Sequence, residues 1–270
     1  MPNVFQTHSV EMRLFLVLLL IVVGLSIKTD TFMTLGNITS LLNNNAVNLI
    51  WAVGLLVVLV AGGIDISFAV AASVVQYLSA QVFVGLGGGN WVVGFIVAAG
   101  FGVGLGLINA LLIHGFQVIS IVITIATFNA FFGLLMFFTK GRNIYNLPDW
   151  WTDRIFIFER QATDGSWSEL NLSVAVMIGC VLATWALVRL TTLGRQLYAF
   201  GDNPEGARRA GVNIWQMQIV AFCWCGMMAG IGGLMQVNIA QEVVPNALYG
   251  RELDVLAAVV LGGARLGGGR

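Results

Sequence analysis

WVVGFIVAAGFGVGLGLINALLIH, residues 91–114, contains no Asp, Glu, Lys or Arg. A bilayer core asks a helix for about 20 consecutive apolar residues, and this stretch is long enough to cross it. Comparable runs lie at 13–27, 46–63, 67–86, 117–139, 171–190 and 216–239, with a shorter one at 253–264. Open sheet edges are not tolerated in lipid, so the runs are read as helices. They predict an all-α membrane protein, a polytopic helical bundle of about eight spans, in a single transmembrane domain over 1–270.

Composition agrees. Of the 270 residues, 58% are hydrophobic and 10% charged, and the mean hydropathy is +0.87. Soluble domains are about half apolar and a quarter charged, so the surplus apolar surface must face lipid. The formal net charge is zero, which gives no ground for a nucleic-acid partner. The first run is followed by KTDTF and lacks a small-x-small cleavage site, so it reads as a retained span rather than a signal peptide.

No covalent or metal chemistry is predicted. Cys180, Cys223 and Cys225 lie in apolar runs. The last two would point to nearly opposite faces of a helix and cannot share a metal, so they read as small hydrophobes. His8 and His114 lack metal-ligand spacing. A phosphate-binding Gly-x-x-x-x-Gly-Lys-Ser/Thr loop is missing from the sequence, and the only lysines are Lys28 and Lys140. If ATP is used, another chain must bind it.

Within the spans, Gly100 with Gly104, Gly102 with Gly106, and Gly226 with Gly230 have the four-residue spacing that lines one helix face and lets a neighbouring backbone approach closely. Packing is the plain reading, and packing around a narrow passage is the sharper one. Trp91, Trp150, Trp151, Trp167 and Trp215 fall near span ends, as in an interfacial belt. The long loops at 140–170 and 191–215 are separated by one span and must face opposite sides. Lys and Arg are too evenly spread to say which side is inside.

VLVAGGIDISFA, residues 58–69, runs from a span into two glycines and a carboxylate. At the bilayer centre that carboxylate would cost roughly 2.5–3.5 kcal/mol, so a helix break nearer an interface is expected. Gly62 and Gly63 supply the turn. Asp65 either caps the amides opening the next span or takes part in passage. Asn109, Thr124, Asn129, Gln236 and Asn238 are the candidate passage residues, with Thr127 and Gln241 of the same kind. Neutral donors and acceptors suit a sugar or polyol better than an ion, though they also serve as glue between helices.

GRQLYAFGDNPEGARRAGVNIW, residues 194–215, is a polar, small-residue interruption between two spans. Asn203 reads as an N-cap, Pro204 as the first helical residue, Glu205 as a favourable charge at the helix start, and Gly211 as the stop. The helix of about two turns is too short to persist alone and must dock. Ala207 and Ala210 share one face at i and i+3, while Arg208 and Arg209 reach outward.

This stretch resembles the cytoplasmic coupling segment of ABC importer permeases for simple sugars, the ribose, galactose, xylose and autoinducer-2 group. AGGIDIS at 61–67 resembles that family's Gly-Gly-Ile-Asp-Leu-Ser motif, and GRELDVLAAVVLGGARLGGG at 250–269 its terminal Val-Val-Leu-Gly-Gly segment. GLGLINALLI and LPDWW fall in the same order. The resemblance implies an importer subunit of the bacterial inner membrane, with a fold similar to cobalamin-importer permeases, a family total of about ten spans, and a cytoplasmic N-terminus. It also implies that 191–215 is the cytoplasmic coupling loop, with Gly201, Asn203, Pro204, Glu205, Ala207, Arg208 and Gly211 in the ATPase contact. Residues 140–170 become the extracytoplasmic loop, where a periplasmic sugar-binding protein docks. The implied partners are an ABC ATPase holding ATP and Mg, the binding protein, and a second permease subunit, like or unlike. Phe68, Ala69 and Val70, and SIVITIA at 120–126, depart from the family pattern near the presumed passage. The family continues through about two more spans beyond LGGGR. The rival readings are a branched-chain amino-acid permease of the same class and a transporter or channel that needs no ATPase.

Overall fold

The computed structural model describes residues 4–161 and 167–269, with side chains from residue 12 onward; the side chain of His8 lies outside the described residues. The helices are α1 (Val4–Lys28), α2 (Leu35–Val60), α3 (Phe68–Leu86), α4 (Trp91–Phe116), α5 (Ser120–Thr139), α6 (Asp149–Thr152), α7 (Leu172–Leu190), α8 (Thr192–Asp202), α9 (Pro204–Arg209), α10 (Ile214–Ala240) and α11 (Arg251–Leu261). Strands β1 (Phe156–Gln161) and β2 (Trp167–Asn171) lie between α6 and α7.

Among the described residues, six helices are long and apolar enough to cross a membrane: α2, α3, α4, α5, α7 and α10. They coincide with six of the predicted spans, and the chain is an all-α membrane protein. The shortest predicted span is not a crossing: α11 has 11 residues and rises only about 16 Å. Helix α2 starts well before residue 46, because its asparagine-rich opening is helical; the Asn45 amide, for example, donates to the Leu41 carbonyl one turn back.

The chain divides into two compact units. The smaller comprises residues 1–45 and 156–171. Its β1–β2 hairpin is antiparallel, pairing Phe156 with Asn171 and Gln161 with Trp167, with an irregularity between Phe156 and Phe158. Asn43 clasps the hairpin: its amide donates to the Glu169 carbonyl at 2.7 Å, and its oxygen accepts from the Asn171 amide at 3.0 Å. The apolar-run reading of the sequence left this hairpin inside an undivided loop.

The larger unit comprises residues 46–155 and 172–270, and α10 is its central helix, with most of its length buried. A methyl group on Gly102 or Gly106 of α4 would collide with the carbonyls of Gly226 and Phe222. One on Gly226 or Gly230 would collide with those of Gly102 and Ala98. The two helices therefore cross backbone to backbone, as the four-residue spacing allows. Gly100 and Gly104 face open space. On its other flank α10 meets α3, where the Gln76 amide donates to the Gly233 carbonyl at 3.1 Å.

Trp151 is not a belt residue. Its ring is wholly buried, its indole donates to the Leu234 carbonyl at 2.9 Å, and it stacks on Trp150. Trp167, at 53% exposure, keeps the surface position an interfacial residue needs.

Candidate functional site

Three features of the larger unit hold most of the candidate residues: the break between α2 and α3, the α8–α9 segment, and the turn over the C-terminal end of α10.

Helix α2 ends because Gly62 takes φ of 77°. The Gly62 amide donates to the Leu59 carbonyl and the Gly63 amide to the Val58 carbonyl, both at 2.9 Å, closing a Schellman turn. Asp65, only 3% exposed, then accepts from the Ser67 amide at 2.8 Å and the Ser67 hydroxyl at 2.7 Å. This Asx turn leads straight into α3. Burial pushes the Asp65 carboxyl above its ordinary range, and the Ser67 hydrogen bonds oppose the shift. The Asn109 amide of α4 donates to the Ser67 hydroxyl at 2.8 Å. From α5, the Ser120 hydroxyl accepts from the Ile64 amide at 2.8 Å, and the Thr124 hydroxyl donates to the Ile64 carbonyl at 3.2 Å.

The candidate passage residues therefore do not converge. Asn109 and Thr124 support the break. Asn238 is buried at the other end of α10, where its amide donates to the carbonyls of Trp151 and Asp153. Asn129 lies on an exposed face of α5, its amide bonded to the Ile125 carbonyl one turn back. Gln236 is half-buried on α10. Ser67 and Ser120 hold the break and are not among the candidates of the sequence, although both stand in stretches quoted above. Their role depends on which backbone groups the break strands, and that is fixed only in the fold.

In the second segment, Asn203 caps α9: its side chain accepts from the Gly206 amide at 2.9 Å. Pro204 holds the first helical position and Glu205 the first turn. Gly211, at φ of 87°, ends the helix in a second Schellman turn, with its own amide on Arg208 and the Val212 amide on Ala207. Arg208 and Arg209 are exposed and pair with Glu205 at 3.8 and 3.2 Å. Such surface pairs are worth at most about 1 kcal/mol, so a partner's carboxylate can replace Glu205 at little cost. The two alanines do not share an outward face: Ala207 is buried where α9 packs on α8 and α10, whereas Ala210 is exposed.

Helix α8, which precedes this cap, was read as loop. Its buried positions are Gly194, Leu197 and Gly201. With the half-buried Leu193 and Phe200 they follow a helical period, so the helix is amphipathic; it is short and polar on its other face, and lacks the long apolar run that marks a span. Gly201 approaches the break so closely that a methyl group there would collide with the Val60 carbonyl.

Comparison with known proteins bears on this arrangement. The family described as "Branched-chain amino acid transport system / permease component" matches residues 37–269. The chain belongs to that family. The permease is 29% identical over 262 residues to the ribose import permease protein of Escherichia coli (strain K12), covering 96% of this chain and 79% of the relative. It is 31% identical over 263 residues to the autoinducer 2 import system permease protein of Enterobacter sp. (strain 638), covering 96% and 73%. It is 23% identical over 275 residues to the galactose/methyl galactoside import permease protein of Escherichia coli (strain K12), covering 98% and 82%. No solved structure matches the permease. With six membrane-length helices, it is a multi-pass membrane transport subunit.

Proposed function

We propose that the permease is the membrane subunit of an ATP-driven importer that carries a small neutral sugar or sugar-like polyol across the bacterial inner membrane. ATP and Mg are held by a separate cytoplasmic ABC ATPase, and the permease does no covalent chemistry. A periplasmic sugar-binding protein delivers the solute, and a second permease subunit, identical or not, completes the passage.

The observation that carries this reading is the placement of α9 and α6 at opposite ends of α10. Helix α10 has 27 residues and spans about 40 Å. Helix α9 packs near its start, and Asn238 fastens α6 near its end. On this reading the 191–215 loop is cytoplasmic, the 140–170 loop is extracytoplasmic, and the N-terminus is cytoplasmic. Of the segment's residues, the exposed Asn203, Pro204, Glu205, Arg208 and Gly211 form the face that engages the ATPase, and the buried Gly201 and Ala207 seat that face on the permease. Helix α1 is a further span, and the whole domain is similar to cobalamin-importer permeases. Asn129 is the passage candidate best placed to meet a solute, being the exposed one. Asn109, Thr124 and Asn238 shape the passage by holding the break and the α6 turn, and Gln236 joins them from α10.

The relatives named for ribose, galactose/methyl galactoside and autoinducer 2 support a sugar over an amino acid. The family's description keeps a branched-chain amino acid as the second reading. Uptake into vesicles carrying the full-length permease and its co-purified ATPase separates the two. Inhibition by unlabelled sugars and not by leucine is expected. Uptake that persists without the ATPase overturns the importer reading.

A further inference from the structure

The end of α8 and the break after α2 meet with no side chain between them. The Schellman turn at Gly62 and Gly63 occupies the carbonyls of Leu59 and Val58. It leaves Val60 without its usual partner four residues on, because the Ile64 amide is bound by Ser120. The Val60 carbonyl instead accepts from the Gly269 amide at 3.3 Å, and its remaining face is pressed against the Cα of Gly201. From the other side, a methyl group on Gly62 would stand 3.4 Å from the Cα and the carbonyl oxygen of Gly201.

Main chain against main chain cannot be relieved by a rotamer change, so displacement of one segment moves the other. Two connections lead onward from the break. Ile64 is held at both its amide and its carbonyl by Ser120 and Thr124 of α5. Asp65 is held through Ser67 by Asn109 of α4. A cavity of about 150 Å³ adjoins this junction, lined by Gly62, Gly63, Ser120, Phe200 and Phe222, and it leaves the break room to shift.

We propose that Gly201 and Gly62 form the joint through which movement of α8 and α9 reaches the break and, beyond it, the start of α5. They are positioning residues for transport: neither touches solute or nucleotide. The inference rests on the reading that the α8–α9 segment engages an ATPase, and it adds the route by which that engagement reaches the spans.

Gly201→Ala tests the joint without strain in the dihedrals of its own residue, since the position is helical and alanine is a better helix former than glycine. The full-length permease is reconstituted with its ATPase and binding protein, and sugar imported per ATP hydrolysed is measured. This ratio is insensitive to the fraction of protein that folds. Gly201→Ala is expected to lower it about tenfold, within the usual range for coupling between sites. A wild-type ratio in Gly201→Ala overturns the joint.

If that variant does not assemble, genetically encoded spin labels at Arg195 on α8 and Val122 on α5 decide the matter in an otherwise native chain. Their separation is expected to stay constant on ATP binding while that from Arg195 to Leu86 changes. Movement of α8 that leaves Val122 behind overturns the joint. If no ATPase accompanies the wild-type permease, the underlying reading falls and the joint falls with it.

Discussion

The side-chain amide of Asn238 donates to the Trp151 carbonyl at 2.6 Å, while the Trp151 indole donates to the Leu234 carbonyl one turn back along α10. Helix and turn thus clasp each other reciprocally in a buried setting. Asn238→Ala would leave the Trp151 carbonyl unpaired, at a cost of about 1–3 kcal/mol. Asn238→Asp should be worse, because it sets a further acceptor against two carbonyls. Thermal unfolding in detergent is expected to rank the midpoints wild type, Ala, Asp. An Asp variant as stable as wild type contradicts the clasp.

The α4 glycines give a paired test on one helix. Gly102→Ala and Gly106→Ala force methyl groups into α10 carbonyls and should destabilise by about 1–3 kcal/mol, as overpacking does. Gly100→Ala and Gly104→Ala meet nothing and should be neutral or stabilising by up to about 1 kcal/mol. Equal losses at all four positions would show that α4 and α10 do not pack on the 102/106 face.

Those glycines also mark how far the sequence could be read. Four-residue spacing identified both pairs, but only the position of α10 selects the pair in use. Span bodies such as Phe68–Leu86 and Trp91–Phe116 were legible because lipid demands long apolar runs. The α9 cap was legible because Asn203, Pro204 and Gly211 act within one or two turns of themselves. Helix α8 left a signal in the helical spacing of Leu193, Leu197 and Phe200, but it is short and lacks the long apolar run by which the spans were found. The support of the break by Ser120 and Asn109 was not legible, because both lie more than forty residues away from the groups they bind.

Asp65 gives a pH prediction whose sign follows from its surroundings. Its native pKa is raised by burial, so above the ordinary value the folded state binds more protons than the unfolded state. Stability from this group is therefore fully present below the unfolded pKa of 3.8 and declines as pH rises through the folded value. Asp65→Asn removes the titration and keeps an oxygen that can accept from Ser67. The midpoint of Asp65→Asn relative to wild type is expected to rise between acidic and neutral pH. A difference that is flat with pH, or falls, contradicts the assignment of burial as the dominant cause.

Two substitutions in α9 separate its seat on the permease from its contact with a partner. Ala207 is buried at 5% exposure against its own chain, so Ala207→Trp must push α9 off α8 and the start of α10. Its expected effects are a lower unfolding midpoint for the isolated permease and loss of binding-protein-stimulated ATP hydrolysis. Arg208 has a side chain 72% exposed, paired with Glu205 at 3.8 Å. Arg208→Glu should therefore leave the permease as stable as before, to within about 0.5 kcal/mol, while weakening ATPase binding through like-charge repulsion. That weakening should be greater at low ionic strength, because salt screens exposed charges over about 10 Å at 0.1 M. Stimulated hydrolysis measured at two salt concentrations, alongside unfolding of the permease alone, checks both. If Arg208→Glu lowers stability as much as Ala207→Trp, α9 is a packing element of the permease and its arginines are not a docking surface.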